Sequence, residues 1–200
     1  MKRSTSLLSP LSVIFRTAYA EDVNFLFTGQ AHISVLNFTT SYELTTPNNS
    51  IGCLNARGAL TLNDCAVFTK TEFAAPLWTQ QIVTARGPCS FRDNTTVTNA
   101  KSAYGWDDHA LSCTEGYERE GFYTVNGFKY PFLCQGNIGC LHETTRVPAT
   151  NIDELPIWEY HWGDSQMDGT PGQLRVVLLW EPISNKTSTK VKLASSLGTI

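Results

Sequence analysis

The sequence predicts a mainly β fold, a disulfide-stapled β-barrel or β-sandwich with at most one or two short helices. Three observations predict it. Short apolar runs rich in β-branched and aromatic residues recur between clusters of Gly, Pro and Asn. No stretch of eleven or more residues keeps a 3.6-residue apolar stripe. Six cysteines, an even number, stand in a chain without any Cys-x-x-Cys spacing. Short strands of this kind protect their edges by closing into a barrel or by stacking a second sheet. With 42% hydrophobic and 16% charged residues, the chain can bury enough apolar surface to offset its ordering entropy, which excludes a disordered protein.

The elements follow in order. Residues 1–20 read as a signal peptide: Lys2 and Arg3 form a positive start, an apolar stretch follows, and Ala18-Tyr19-Ala20 offers the small-x-small cleavage pattern. Cleavage there makes Glu21 the mature N-terminus. A single β-rich domain is expected over 21–182, with strands at 23–27, 32–38, 65–69 and 81–85 and a loop at 45–50. Residues 121–134 predict a β-hairpin turning at Asn126-Gly127, a dipeptide that accepts positive φ at both centres of a type I′ turn. Residues 157–162 alternate aromatic and polar side chains, and 173–180 read as a strand buried on both faces, ended by Pro182. Short helices are placed near 99–104 or 151–155, and 183–200 form a flexible Ser/Thr/Lys-rich tail.

The cysteines are read as structural. Of the 15 connectivities open to six of them, local closure costs least entropy, which favours Cys53 with Cys65, Cys89 with Cys113 and Cys134 with Cys140. Sequons at Asn37, Asn48, Asn94 and Asn185, together with the leader, indicate a secreted, extracellular, glycosylated protein. Lys2, Arg3 and Arg16 leave with the leader, so twelve basic residues face eighteen acidic ones, a net charge of −6. A mildly acidic surface is a poor partner for nucleic acid, whose affinity comes from Lys and Arg neutralising phosphates. No run approaches the ~20 apolar residues that cross a bilayer, so no membrane insertion is expected.

Candidate chemistry is sparse. Glu159 and His161 stand two apart, on one face if their segment is a strand, and a carboxylate beside an imidazole can do acid and base work. Trp158 and Trp162 are four apart, so on a strand both indoles face one way, as a carbohydrate-binding platform requires. His142 precedes Glu143 and His109 follows two aspartates, but no His-x-x-x-His motif supports a metal site. No nucleophile elbow, phosphate-binding loop or dinucleotide fingerprint is present, and no cofactor is implied.

Two resemblances add to this reading. Pro156-Ile157-Trp158-Glu159 followed by Gly169-Thr170-Pro171-Gly172-Gln173-Leu174-Arg175-Val176-Val177 resembles the segment of secreted fungal guanyl-preferring ribonucleases that carries their catalytic Glu and Arg. It implies Glu159 as base and Arg175 as phosphate clamp, but the histidine acid that this family places after the Arg has no counterpart here. The mature chain as a whole is similar to the small secreted cysteine-containing proteins of filamentous fungi, some of them effectors. That resemblance rests on the leader, Gly52-Cys53-Leu54, Asp64-Cys65-Ala66-Val67-Phe68 and Phe132-Leu133-Cys134-Gln135-Gly136-Asn137. It implies a binding or effector-like protein that recognises a host protein or a cell-wall polysaccharide. The alternative is a secreted hydrolase, ribonuclease-like or glycan-active, using Glu159, His161 and Arg175.

Overall fold

The computed structural model describes residues 27–72, 79–102, 108–116, 120–136, 139–160 and 169–183. Among them are twelve strands: β1 (Gln30–Asn37), β2 (Ser50–Leu54), β3 (Leu60–Thr61), β4 (Phe68–Glu72), β5 (Gln80–Thr84), β6 (Gly87–Ser90), β7 (Ser112–Cys113), β8 (Phe122–Tyr123), β9 (Phe132–Gln135), β10 (His142–Thr144), β11 (Trp158–Glu159) and β12 (Leu174–Pro182). The fold is mainly β, and six antiparallel strands close a barrel in the order β1, β12, β9, β8, β5, β4 and back to β1. Its spine is the β1/β12 ladder, which runs from Ala31 opposite Pro182 to Asn37 opposite Val176.

Each spine strand serves two neighbours along its free edge. Gln30 and Ala31 of β1 pair with β4, whereas Ser34, Val35 and Leu36 pair with β2, across a register shift between Val35 and Leu36. β12 likewise pairs β10 through residues 174–176 and β9 through Leu178 and Leu179. The sheet therefore flares at one end of the barrel, where β2 with β3 and β10 with β11 extend it. β6 leaves the path from β5 to pair with β7.

Alternation along the spine fills two cores. Ile33, Val35, Val176, Leu178 and Trp180 join Phe68, Ile82, Phe122 and Leu133 in the larger cluster. Leu36, Val177 and Leu179, one residue out of phase, join Phe132, Leu141 and Tyr160 on the other face, under Tyr42, Phe128 and Tyr130. Burial of β12 on both faces explains why its sequence is a continuous apolar run.

All six cysteines are paired: Cys53 with Cys65, Cys89 with Cys113 and Cys134 with Cys140. Cys89 and Cys113 are direct cross-strand partners in the β6/β7 ladder. Among the described residues no helix is long and apolar enough to cross a membrane.

Several local expectations need correction. The predicted hairpin exists, but its ladder holds only Phe122 opposite Gln135 and Tyr123 opposite Cys134. Gly127 has φ 101° and no non-glycine residue among the described residues takes a positive φ, so Asn126 does not occupy a type I′ centre. The sequence at 128–130 leaves the ladder because Phe128 stacks on Tyr42 at 4.4 Å and Tyr130 packs on Phe132, covering the second core. The strand expected at 65–69 begins only at Phe68. Among the described residues the one helical element is a 3-10 turn at Pro47–Asn49.

No helix forms at the described part of 99–104, nor at 151–155. In the latter, Asp153 accepts hydrogen bonds from the backbone N–H groups of Ala149 (2.7 Å) and Thr150 (3.3 Å), and from the Thr150 hydroxyl. A side chain that takes its neighbours' amides offers the backbone an alternative to a helix. Residues 23–26, 103–104 and 183–200 beyond Ile183 lie outside the described residues.

Candidate functional site

The catalytic alternative is divided by sheet parity. In the β10/β11 ladder His142 stands opposite Glu159 and Glu143 opposite Trp158. In the β10/β12 ladder His142 stands opposite Val176 and Glu143 opposite Arg175. Glu159 therefore shares a face with His142 and Val176, and Arg175 shares the opposite face with Glu143 and Trp158. This separates the base from the phosphate clamp that the local ribonuclease resemblance implies. His161 lies outside the described residues.

Arg175, Glu143 and His142 are each engaged in the fold. Arg175 lays its guanidinium over the Phe38 ring at 5.7 Å. Glu143, 1% exposed, accepts hydrogen bonds from the Thr170 N–H (2.7 Å), the Thr170 hydroxyl (2.6 Å) and, at 3.4 Å, the Asn99 amide. It ties the turn before β12 to the sheet. His142 is wholly buried and stacked on Phe91, and burial lowers its pKa to about 3, so its imidazole is neutral. A base with so low a pKa inside a packed core has no access to substrate.

The aromatic platform also needs correction. Trp158 is 4% exposed and its indole N–H donates to the Val97 carbonyl at 3.1 Å. A ring so placed fills space and satisfies its own N–H on a carbonyl that also accepts the Ala110 N–H (3.0 Å); it presents no face to a sugar. Trp162 lies outside the described residues. Of the sequons, Asn48 and Asn94 are exposed and Asn37 is half-buried at the end of β1, while Asn185 lies outside the described residues.

What the structure does assemble is a polar cleft of about 300 Å³, lined by Arg57, Arg86, Asp93, Thr95, Thr96, Leu111 and Ser112 to Thr114. Its construction follows from a repeated tripeptide. Ala56-Arg57-Gly58 lies in the β2/β3 turn, and Ala85-Arg86 form the β5/β6 turn with Gly87 opening β6. Both glycines have positive φ, 89° and 127°. Both also press on the strand that runs between them. A Cβ on Gly58 would lie 3.1 Å from the Leu111 carbonyl oxygen, and one on Gly87 2.5 Å from the Thr114 carbonyl carbon. The two turns thus clamp β7 and its flanks, and each carries its arginine to the cleft.

Hydrogen bonds fix the clamp. The Cys113 N–H donates to the Arg57 carbonyl (3.1 Å), the Thr84 hydroxyl to the Ala56 carbonyl (2.8 Å), and the Asn55 side chain accepts from Arg57 N (2.9 Å). The Cys89/Cys113 bridge ties β7 to β6 below. Asp93 is buried and occupied: it accepts from the Thr95 N–H (2.9 Å), the Thr95 hydroxyl (2.6 Å) and the Ser112 hydroxyl (2.8 Å).

The two arginines differ in what they have left to offer. Arg57 forms an ion pair with Glu154. The Arg86 guanidinium is exposed and makes no ion pair or hydrogen bond among the described residues. No group of three or more His, Cys, Asp or Glu among the described residues comes together to hold a metal ion. Arg57, Arg86 and Asp93 were not among the residues singled out from sequence, although the repeated Ala-Arg-Gly was there to be read. Comparison of the chain with protein-family models, with curated proteins and with solved structures finds no match in any of the three.

Proposed function

We propose that this chain is a secreted, glycosylated binding module of the effector-like kind, acting by surface recognition, and that the Arg57/Arg86 cleft takes an acidic group of its partner. The observation that carries this reading is the pair of Ala-Arg-Gly turns clamped on β7, one of whose arginines is exposed and unpartnered. A guanidinium offers a rigid planar fork that matches a carboxylate with two parallel hydrogen bonds. Among the described residues Arg57, Arg92 and Arg146 form ion pairs, whereas the Arg86 guanidinium stands at a cleft with its donors unused. The lining is otherwise hydroxyl-bearing and polar, with Leu111 and the Cys113 bridge its apolar parts. Such a wall suits a carboxylate-bearing sugar, as in an acidic cell-wall polysaccharide, better than an apolar ligand. Three disulfides are compatible with an extracellular setting.

The test is binding of polygalacturonate oligomers by calorimetry, against neutral oligosaccharides of equal length. The expected result is binding that weakens with salt and falls about tenfold in Arg86→Ala, equivalent to about 1.4 kcal/mol. Arg86→Ala should leave the melting temperature unchanged. Equal binding by wild type and Arg86→Ala, or no preference for the acidic oligomer, overturns the reading.

A further inference from the structure

We propose that Asn94 carries an N-linked glycan that stands over the mouth of the Arg57/Arg86 cleft and shields it, so that occupancy of this one sequon sets the cleft's accessibility. The proposal rests on the secretory reading above for its glycan, and on the geometry of residues 93–96 for its consequence. Three observations meet at this loop. Asn94-Thr95-Thr96 is a sequon. Thr95 and Thr96 line the cleft. Asn94 is exposed. The sequon is therefore part of the cleft wall, with Asn94 and Thr95 exposed and Thr96 half-buried.

The loop's hydrogen bonds hold it in that posture. Asp93 accepts from the Thr95 N–H and hydroxyl, fixing Thr95 at the exposed rim of the cleft. The Thr96 N–H donates to the Asp93 carbonyl at 3.1 Å, and the Thr96 hydroxyl shares its one proton between the Asp93 and Ala110 carbonyls at 2.9 and 3.0 Å. With Thr95 and Thr96 fixed this way, the first sugar on Asn94 begins one residue from the cleft wall. A core glycan of several sugar rings is larger than a cleft of about 300 Å³. It has room to cover the mouth without entering it.

The same bonds set when the sugar can be added. In glycosyl transfer the Asn94 Nδ2 bonds to the anomeric carbon of an oligosaccharyl lipid pyrophosphate. The anomeric C–O bond breaks, the lipid pyrophosphate leaves with the electron pair, and Nδ2 loses one proton. A transferase must engage the sequon's Thr hydroxyl, which in the folded loop is already committed to two carbonyls. Addition therefore precedes folding of residues 93–96, and a folded bare chain stays bare.

The experiment uses the full chain secreted from a glycosylating eukaryotic host. Enzymatic removal of N-glycans converts each occupied Asn to Asp, read by peptide mass. Cleft accessibility is read without any ligand, as the rate at which phenylglyoxal modifies Arg86. The expected result is Asn94 occupied, with Arg86 modified at least fivefold faster in deglycosylated protein and in Asn94→Gln, which keeps its other sequons, than in the glycosylated wild type. Bare Asn94 in secreted protein, or equal Arg86 rates in all three, overturns the shield and leaves the acidic-ligand reading standing. Retention of unglycosylated chain inside the cell overturns the secretory reading and the shield together. Failure to bind polygalacturonate while the Arg86 rates differ overturns the ligand assignment alone.

Discussion

Acidification should destabilise this protein through His142, well above the pH at which its carboxylates begin to protonate. The imidazole is 1% exposed, its ring stacks on Phe91 with centroids 5.6 Å apart, and its Nδ1 is buried without a hydrogen-bond partner. Burial lowers its pKa from 6.5 to about 3. Below pH 6.5 the unfolded chain takes up a proton that the folded chain refuses until about pH 3, so the unfolded state binds more protons across that window. The contribution is fully present above the unfolded pKa and shrinks as pH falls. At pH 5 the deficit is about one and a half pH units at ~1.36 kcal/mol each, or about 2 kcal/mol. This figure is insensitive to the folded pKa as long as that lies well below 5. Asp153, held low by the Arg146 hydrogen bond and the Ala149 N–H, loses its contribution only as pH drops below its ordinary 3.8. Tyr42, pushed up to about 12 chiefly by burial, titrates far above the window. The assay is urea unfolding at pH 7 and pH 5 for wild type and His142→Phe, which keeps an aromatic ring on Phe91 and removes the titrating nitrogen. Wild type should lose about 2 kcal/mol more than the variant between the two conditions. Equal losses, or a His142 resonance that titrates near its ordinary pKa in the folded protein, would refute the reasoning.

Three further outcomes are expected. Gly87→Ala places a methyl 2.5 Å from the Thr114 carbonyl carbon at φ 127°, and should cost on the order of 2 kcal/mol or more in chemical denaturation. A neutral result would mean that the β5/β6 turn is not pressed on β7. Replacing Cys89 and Cys113 together by Ala opens a bridge of sequence separation 24 and should lower unfolding free energy by roughly 3 kcal/mol. A variant as stable as wild type would count against the bridge as a staple of the cleft. Trp158→Ala should cost about 3 to 5 kcal/mol as a buried-ring deletion, and Trp158→Phe less, because the Val97 carbonyl still accepts the Ala110 N–H. Loss of polysaccharide binding without loss of stability would instead restore an exposed indole.

The spine was readable in advance because its signals are local. An apolar run ended by a proline predicts β12, alternation predicts β1, and short loops predict the cysteine pairing that the structure contains. What failed depended on partners distant in sequence. Asn126-Gly127 is a strong turn signal, yet Phe128 stacks on Tyr42, which lies in a different loop, and does not extend the ladder. Trp158 and its aromatic neighbours look like a displayed row. The indole is buried because Val97, sixty-one residues earlier, supplies its acceptor. Glu159 and Arg175 were joined by a linear resemblance, but β10 inserts between their strands and its register decides which faces they occupy.

That register also explains why the candidate site lies in turns. β12 is buried on both faces from 176 to 180, and the β1/β12 ladder passes one face to the barrel interior and the other to the aromatic cover. Polar groups that enter these layers become structural, as Glu143 does in holding Thr170 and as Arg175 does over Phe38. Side chains free to meet a partner must then come from connections held by the scaffold without belonging to its layers. The two Ala-Arg-Gly turns meet that condition. Each glycine admits a backbone approach to β7 and its flanks that a side chain would block, so each turn is anchored there and exposed one residue earlier, at the arginine. For the acidic ligand proposed above, rigid anchoring lowers the entropy lost when the guanidinium engages a carboxylate.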